Sequence, residues 1–293
     1  MLGIAPFRRS FRRQGGVSQA VLEYLVTWEI DKPYVIARNG WEIAIWQAIF
    51  SFLDANPAEW DVLELVEMPD FLQGTSAVQQ LFQAPGYRCR VSAGPDGPCI
   101  DLTQTWDQFL GDHKKYRMAL NRLNRLCPDW EVDTYNKRSA IGEGLERYIA
   151  LERLSWKHGK VGLERNSLHL EFYREVIPAL AQKGCAAIHI LVNGEGRQMA
   201  GIICFSFEQT LYAFHTAYDP VFSQYSPGKL LMGLVLKEYM GNKMLKSADL
   251  LCGFADYYKP WAARIITTVN LQIFRMSPGM RVVLAGQWLK EQF

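Results

Sequence analysis

Between Thr210 and Leu231 the chain gathers residues that could do chemistry together. His215 sits in the strand-like run TLYAFHTAYDP, where alternation sets it on the face opposite Tyr212, Phe214 and Tyr218. Its imidazole titrates near neutral pH and can act as a general base, with a hydrogen-bonded core histidine as the structural alternative. Asp219 follows at the strand's exit, as a second base or as the Asp of an Asp-Pro turn. The chain then enters a helix through Gln224, Tyr225, Ser226, Pro227, Gly228 and Lys229. A helix N-terminus carries unpaired N–H groups and a partial positive charge. Gly228 has no Cβ to hold an anion away from those groups, and Pro227 gives up no needed donor. Ser226 can cap, and Lys229 adds a full charge. Such an entrance suits a pyrophosphate; an ordinary capped helix is the alternative.

These residues need elements to hold them. From residue 130 the pattern predicts β-α-α-β-β-β-α-β-α-β-β. WEVDTYN reads as a strand, and two amphipathic helices follow, around 143–158 and 168–183. A three-strand meander comes next, with NGEG turning between its first two strands. After the Gly228 helix, SADLLCG is a short buried strand, DYYKPWAAR a helix interrupted by Pro260, and TTVNLQIFRM and MRVVLAG the last strands. A meander in the middle excludes a Rossmann alternation.

The first half repeats part of this order. A helix follows Asn39-Gly40, then come the strand WDVLELV, a helix over about 75–84, and the strands YRCRVSA and PCIDL. Gly40 stands as far from Asp61 as Gly228 does from Asp249, which points to a duplicated fold. The boundaries we expect are 1–103 for a partial first domain, 104–128 for a linking helix and 129–293 for the second domain. The first copy reads as lacking the elements before its Gly-led helix, as if truncated at the N-terminus. In the linker, Trp106, Phe109, Leu110, Leu120 and Leu123 share one face, opposite Lys114, Lys115, Arg122 and Arg125, which read as solvated. Continuous helical spacing puts Arg117 on the apolar side with His113. There a cation wants a carboxylate or a bound anion.

Composition narrows the class. With 32 Lys plus Arg against 30 Asp plus Glu, the net charge of +2 argues against a dedicated nucleic-acid partner. No apolar run approaches a membrane span, and the basic start MLGIAPFRRSFRR has no apolar signal-peptide core after it and reads as a solvated loop. The six cysteines show no CxxC spacing and no zinc pattern, so we expect reduced core thiols, no metal and a cytoplasmic protein. Cys204 and Cys252 are weak nucleophile candidates, since neither has an evident local base.

The stretches WDQFLGDHKKYRMALNR at 106–122, LERLSWKHGK at 151–160, AYDPVFSQYSPGKLL at 217–231 and GFADYYKPWAAR at 253–264 resemble the GNAT-type acyltransferases. Within that group they are most similar to the BioF2-like bacterial acetyltransferases linked to cellulose or exopolysaccharide synthesis. The resemblance implies an α/β architecture with a duplicated GNAT-like fold, mixed mostly antiparallel sheets flanked by helices. It implies an acyltransferase that uses acyl-CoA, acetyl-CoA above all, with an amine or hydroxyl of a sugar or small molecule as acceptor. Gln224–Lys229 then hold the CoA pyrophosphate. Only part of the usual Gln/Arg-x-x-Gly-x-Gly/Ala loop is kept there. His215 or Asp219 takes the acceptor's proton, and a tyrosine of the DYYKPW run, Tyr258 in preference to Tyr257, protonates the leaving thiolate. Arg117, Trp156, Tyr218 and Lys259 are the expected substrate contacts. Two alternatives remain: a Fem-type transferase using aminoacyl-tRNA, and a catalytically silent accessory protein of polysaccharide assembly.

Overall fold

The computed structural model describes residues 1–26, 30–240, 244–252 and 255–292. In chain order the elements are β1 (Gly3–Ile4), β2 (Phe7–Gln14), β3 (Val17–Tyr24), β4 (Ile36–Ala37), α1 (Glu42–Ala55), β5 (Val62–Pro69), α2 (Gln73–Leu81), β6 (Tyr87–Ala93), β7 (Gly97–Asp101), α3 (Trp106–Asp112), α4 (Lys114–Leu126), β8 (Glu131–Tyr135), α5 (Arg138–Leu154), α6 (Ser167–Gln182), β9 (Ala186–Val192), β10 (Gln198–Phe207), β11 (Thr210–Tyr218), α7 (Pro227–Met240), β12 (Ser247–Asp249), α8 (Ala255–Tyr258), β13 (Arg264–Ile266), β14 (Thr268–Arg275) and α9 (Pro278–Gln292). They sort into two compact units, Met1–Asp96 with Ile266–Phe293, and Gly97–Ile265.

The first unit is a five-stranded sheet in the order β2-β3-β5-β14-β6. β3 runs parallel to β5, while β14 is antiparallel to both of its neighbours. Trp46, Trp60, Leu63 and Leu65 form its core with Leu271 and Ile273 of β14. The basic start of the chain is therefore not a solvated loop. It is strand β2, whose Arg8 pairs across the hairpin with Glu23 and whose Arg12 pairs with Glu64. β2 and β3 are the strands that the sequence reading found missing before the first helix.

The second unit is a seven-stranded sheet in the order β13-β7-β12-β11-β10-β9-β8. α5 and α6 cover one face, with Tyr148, Ile149, Tyr173 and Ile177 against Ile188, Ile190 and Ile203. α3, α4 and α7 cover the other, with Phe109, Tyr116, Leu123, Leu231 and Leu236 against Ile202, Cys204 and Leu211. Both units contain an antiparallel hairpin, a helix and a strand parallel to the hairpin's second strand: β2-β3-α1-β5 in one, β10-β11-α7-β12 in the other. The Gly and Asp pairs do not mark this equivalence. Gly40 sits at a left-handed turn before α1 and Gly228 inside α7, while Asp61 precedes β5 and Asp249 ends β12.

The boundaries move for a tertiary reason. β7 joins the second unit's sheet by pairing with β12, and β14 joins the first unit's sheet, so each half of the chain contributes a strand to the other. The segment 104–128 belongs wholly to the second unit and is two helices. A capping box of Thr105 and Gln108 starts α3, and His113, at φ −113° and ψ 62°, breaks it. The break resets the helical phase. Tyr116, Ala119, Leu120 and Leu123 face the core, and Arg117 is exposed rather than buried. MRVVLAG is not a strand but part of α9. Ser277 Oγ accepts the Met280 N–H at 3.3 Å, and Met280, Val283 and Leu284 lie on one buried helical stripe.

Candidate active site

The centre of the second unit is an opening in its sheet. β11 and β12 are parallel neighbours, but they pair only through Thr210–Tyr212 and Ser247–Asp249. Beyond Tyr212, that edge of β11 has no strand partner among the described residues, so its backbone groups from Ala213 to Tyr218 are left for other partners. The two strands thus splay apart where the chain enters the Gly228 helix.

A β-bulge sits in the same strand. Ile203 pairs with His215 and Cys204 with Ala213, leaving Phe214 as the extra residue. The bulge places Phe214 and His215 side by side, ring centroids 4.7 Å apart, against the Tyr173 ring of α6. Strict alternation misses this and sets Phe214 on the opposite face. Tyr218 does lie on the other side, in the α7 cluster.

At the entrance of α7, Ser226 takes a left-handed conformation with φ 53° and its carbonyl accepts the N–H groups of Lys229 and Leu230. Pro227 is buried. A Cβ built on Gly228 would meet only Tyr218 Cδ1, at 3.9 Å, so the fold itself does not demand glycine there. What the missing Cβ leaves open is approach to the first-turn N–H groups. Facing this entrance is a cavity of about 500 Å³ lined by Ala119, Arg122 and Arg125 of α4 and by Gln224, Tyr225 and Ser226. The sequence reading leaves Arg122 and Arg125 on a solvated face. Their spacing of one helical turn was the signal available. Small residues, helix N–H groups and two guanidiniums fit a pyrophosphate. A larger cavity of about 810 Å³ lies in the first unit between the first strands and α1, but its wall, with Leu22, Ile45, Ile49 and Phe52, is mostly apolar.

Lys229 does not point freely at this cavity. Its Nζ lies 4.7 Å from the Tyr257 ring centre and 5.1 Å from that of Trp261. Burial lowers its pKa, with Lys115 adding to the effect. The two tyrosines differ sharply. Tyr258 is 4% exposed and packs on Trp261 in the core, whereas Tyr257 is 51% exposed. Burial and then the Tyr218 hydroxyl raise the Tyr257 pKa, and the Ser226 hydroxyl opposes them. Tyr257 therefore stands protonated among Tyr218, Ser226 and Lys229, while Tyr258 is held in the core. Gly253 and Phe254 of the same motif lie outside the described residues. Lys259 is exposed.

Of the remaining candidates, Asp219 is committed locally. It caps the turn Pro220–Tyr225 by accepting the Val221 N–H and holds Arg197 at 2.8 Å. Trp156 is 61% exposed. The His215 side chain is 17% exposed, with Nδ1 3.8 Å from the Glu152 carboxylate. Burial pushes its pKa down to about 3, and Lys157 and His169 add to the fall. All six cysteines are free thiols, and burial pushes the Cys204 thiol far up, away from nucleophilic chemistry.

A sheet opened between two parallel strands, with a small-residue helix entrance at the opening, defines an acyltransferase fold of the GNAT kind. Residues 112–259, half of the chain, match the family described as acetyltransferase (GNAT) domain, and the chain belongs to that family. No curated protein sequence matches it. Among solved structures it is similar to a conserved protein of unknown function from Bacteroides thetaiotaomicron VPI-5482, at 10% identity and TM-score 0.59, over 92% of this chain and 84% of that one. It is also similar to the C-terminal domain (DUF2156) of a putative lysylphosphatidylglycerol synthetase from Agrobacterium fabrum, at 11% identity and TM-score 0.59, over 95% and 86%. FemX follows at 11% identity and TM-score 0.53, over 92% and 84%. At such identities the likeness is one of fold. No helix among the described residues is long and apolar enough to cross a membrane.

Proposed function

We propose that this protein moves an acyl group, in the first instance acetyl, from acyl-CoA to an amine or hydroxyl of a sugar or other small molecule. The observation that carries this reading is the α7 entrance, open at Gly228 and faced by Arg122 and Arg125, beside the unpaired edge of β11. The Gly228 N–H and the two guanidiniums hold the pyrophosphate. Backbone N–H groups between Ala213 and Tyr218 donate to the thioester oxygen, where negative charge develops. His215 accepts the proton of the attacking amine or hydroxyl, and Tyr257 gives its proton to the departing sulfur. Acyl-CoA supplies the activated thioester. The resemblance to acetyltransferases linked to exopolysaccharide synthesis supports a sugar acceptor in the cytoplasm.

Calorimetric titration with acetyl-CoA, CoA, pantetheine and aminoacyl-tRNA tests the reading. Binding of acetyl-CoA and CoA, with pantetheine much weaker, is the expected result. Binding of aminoacyl-tRNA alone transfers the assignment to the Fem-type reaction. Binding of none of the four leaves the accessory role.

A further inference from the structure

We infer that Glu152 is the positioning residue for His215, holding the imidazole with Nδ1–H toward its carboxylate and Nε2 bare for the acceptor's proton. The inference rests on the acyl-transfer reading, in which His215 is the base.

Glu152 lies in the last turn of α5 and is 2% exposed. Its two oxygens have separate tasks. Oε2 accepts the Leu163 N–H at 2.6 Å. Oε1 accepts the Tyr148 hydroxyl at 3.4 Å and faces His215 Nδ1 at 3.8 Å. The chain clears space for this carboxylate: a Cβ on Gly162 would stand 2.4 Å from Oε2. Lys157, itself buried, supplies the compensating charge and donates from Nζ to the Thr216 carbonyl at 2.6 Å, next to His215 on β11. One carboxylate thus anchors the 155–163 loop and faces the bulged strand.

His215 Nδ1 is buried and has no hydrogen-bond partner among the described residues. A buried polar atom left so is costly, and the Glu152 carboxylate is the acceptor that faces it. The gap of 3.8 Å exceeds a hydrogen bond by under about 1 Å, the kind of slack that catalytic contacts close when substrate binds. The other titratable groups set against the ring are Lys157 from the loop and His169 and Tyr173 from α6. Among them only Glu152 can balance an imidazolium. A ring this strongly depressed is a poor base alone. With Glu152 on Nδ1–H, the acceptor's proton passes to Nε2 and the positive charge formed lies against a carboxylate.

The test is the His215 tautomer, read from imidazole ¹⁵N chemical shifts at neutral pH and assigned among the five histidines by loss of its signals in His215→Gln. Wild type should show Nδ1–H. In Glu152→Gln the amide oxygen must stay on the Leu163 N–H, because only oxygen accepts. The amide NH₂ then faces Nδ1, donates to it and forces the Nε2–H tautomer. In step with the flip, kcat should fall by roughly 10²- to 10⁴-fold, the usual worth of a positioned base, while acetyl-CoA affinity stays within about 2-fold. A wild-type Nε2–H tautomer overturns the inference, as does a folded Glu152→Gln protein with unchanged tautomer and rate. If that variant does not fold, the wild-type tautomer decides alone. A tautomer flip in a protein that never uses acetyl-CoA would uphold the Glu152 role while removing the acyl-CoA reading.

Discussion

Replacing Gly228 by valine separates a phosphate cradle from a plain helix start. The substitution is sterically mild for the protein, since a Cβ there meets only Tyr218 Cδ1 at 3.9 Å. Glycine within a helix costs about 0.5–1 kcal/mol relative to alanine, so Gly228→Ala should hold or slightly raise stability. Ligand binding should move the opposite way. A branched side chain at this position crowds the Gly228 N–H, the first-turn donor that the Ser226 carbonyl does not take. Each charge-assisted hydrogen bond to a phosphate oxygen contributes about 1.5–3 kcal/mol. Losing the one from the Gly228 N–H weakens CoA binding by roughly 10- to 100-fold, at 1.4 kcal/mol for each factor of ten. Titration calorimetry of wild type, Gly228→Ala and Gly228→Val against CoA and pantetheine reads this directly. The loss should fall on CoA and spare pantetheine. A folded Gly228→Val protein that binds CoA as wild type does would refute the cradle, and Ser226–Lys229 would then be a capped helix start alone.

Three further outcomes follow from the site and its surroundings. Arg122→Ala and Arg125→Ala should each weaken CoA binding about 10-fold in low salt and less in high salt, while Arg117→Ala, at an exposed residue that does not line the cavity, should leave it unchanged. Tyr257→Phe should lower kcat by roughly 10- to 100-fold with little change in CoA affinity, as expected for a lost proton donor, whereas Tyr258→Phe should leave the chemistry and act on stability. His189 is wholly buried beside Thr134 Oγ1 at 3.0 Å, the Glu238 carboxylate at 3.5 Å and the Tyr239 hydroxyl at 3.4 Å, and burial pushes its pKa down to about 4. The unfolded chain takes up that proton near pH 6.5 and the folded one only near 4, so stability is full above the first value and is lost as pH falls toward the second. By pH 5 the loss from this residue is about 2 kcal/mol, and urea melts at pH 7.5 and 5 should show that slope shrink in His189→Gln.

Local pattern made much of this protein legible. The meander and its flanking helices follow from the periods of their apolar residues, the 193–197 turn from Asn193, whose Oδ1 takes the N–H groups of Glu195 and Arg197, and the helix entrance from Ser-Pro-Gly. These features arise within a few residues of themselves, so sequence contains their causes. The features that needed the folded chain are long-range or hinge on a single dihedral. The exchange of β7 and β14 between the two sheets depends on pairing partners far away in the chain. The break at His113 resets a helical phase, which buries Tyr116, exposes Arg117 and carries Arg122 and Arg125 to the cavity at Ser226. The bulge at Phe214 has no glycine to announce it, yet it decides which face His215 takes. Tyr257 and Tyr258 are adjacent and chemically identical. Packing alone buries one in the core and leaves the other exposed beside Lys229, because burial is a property of neighbours that local sequence does not name.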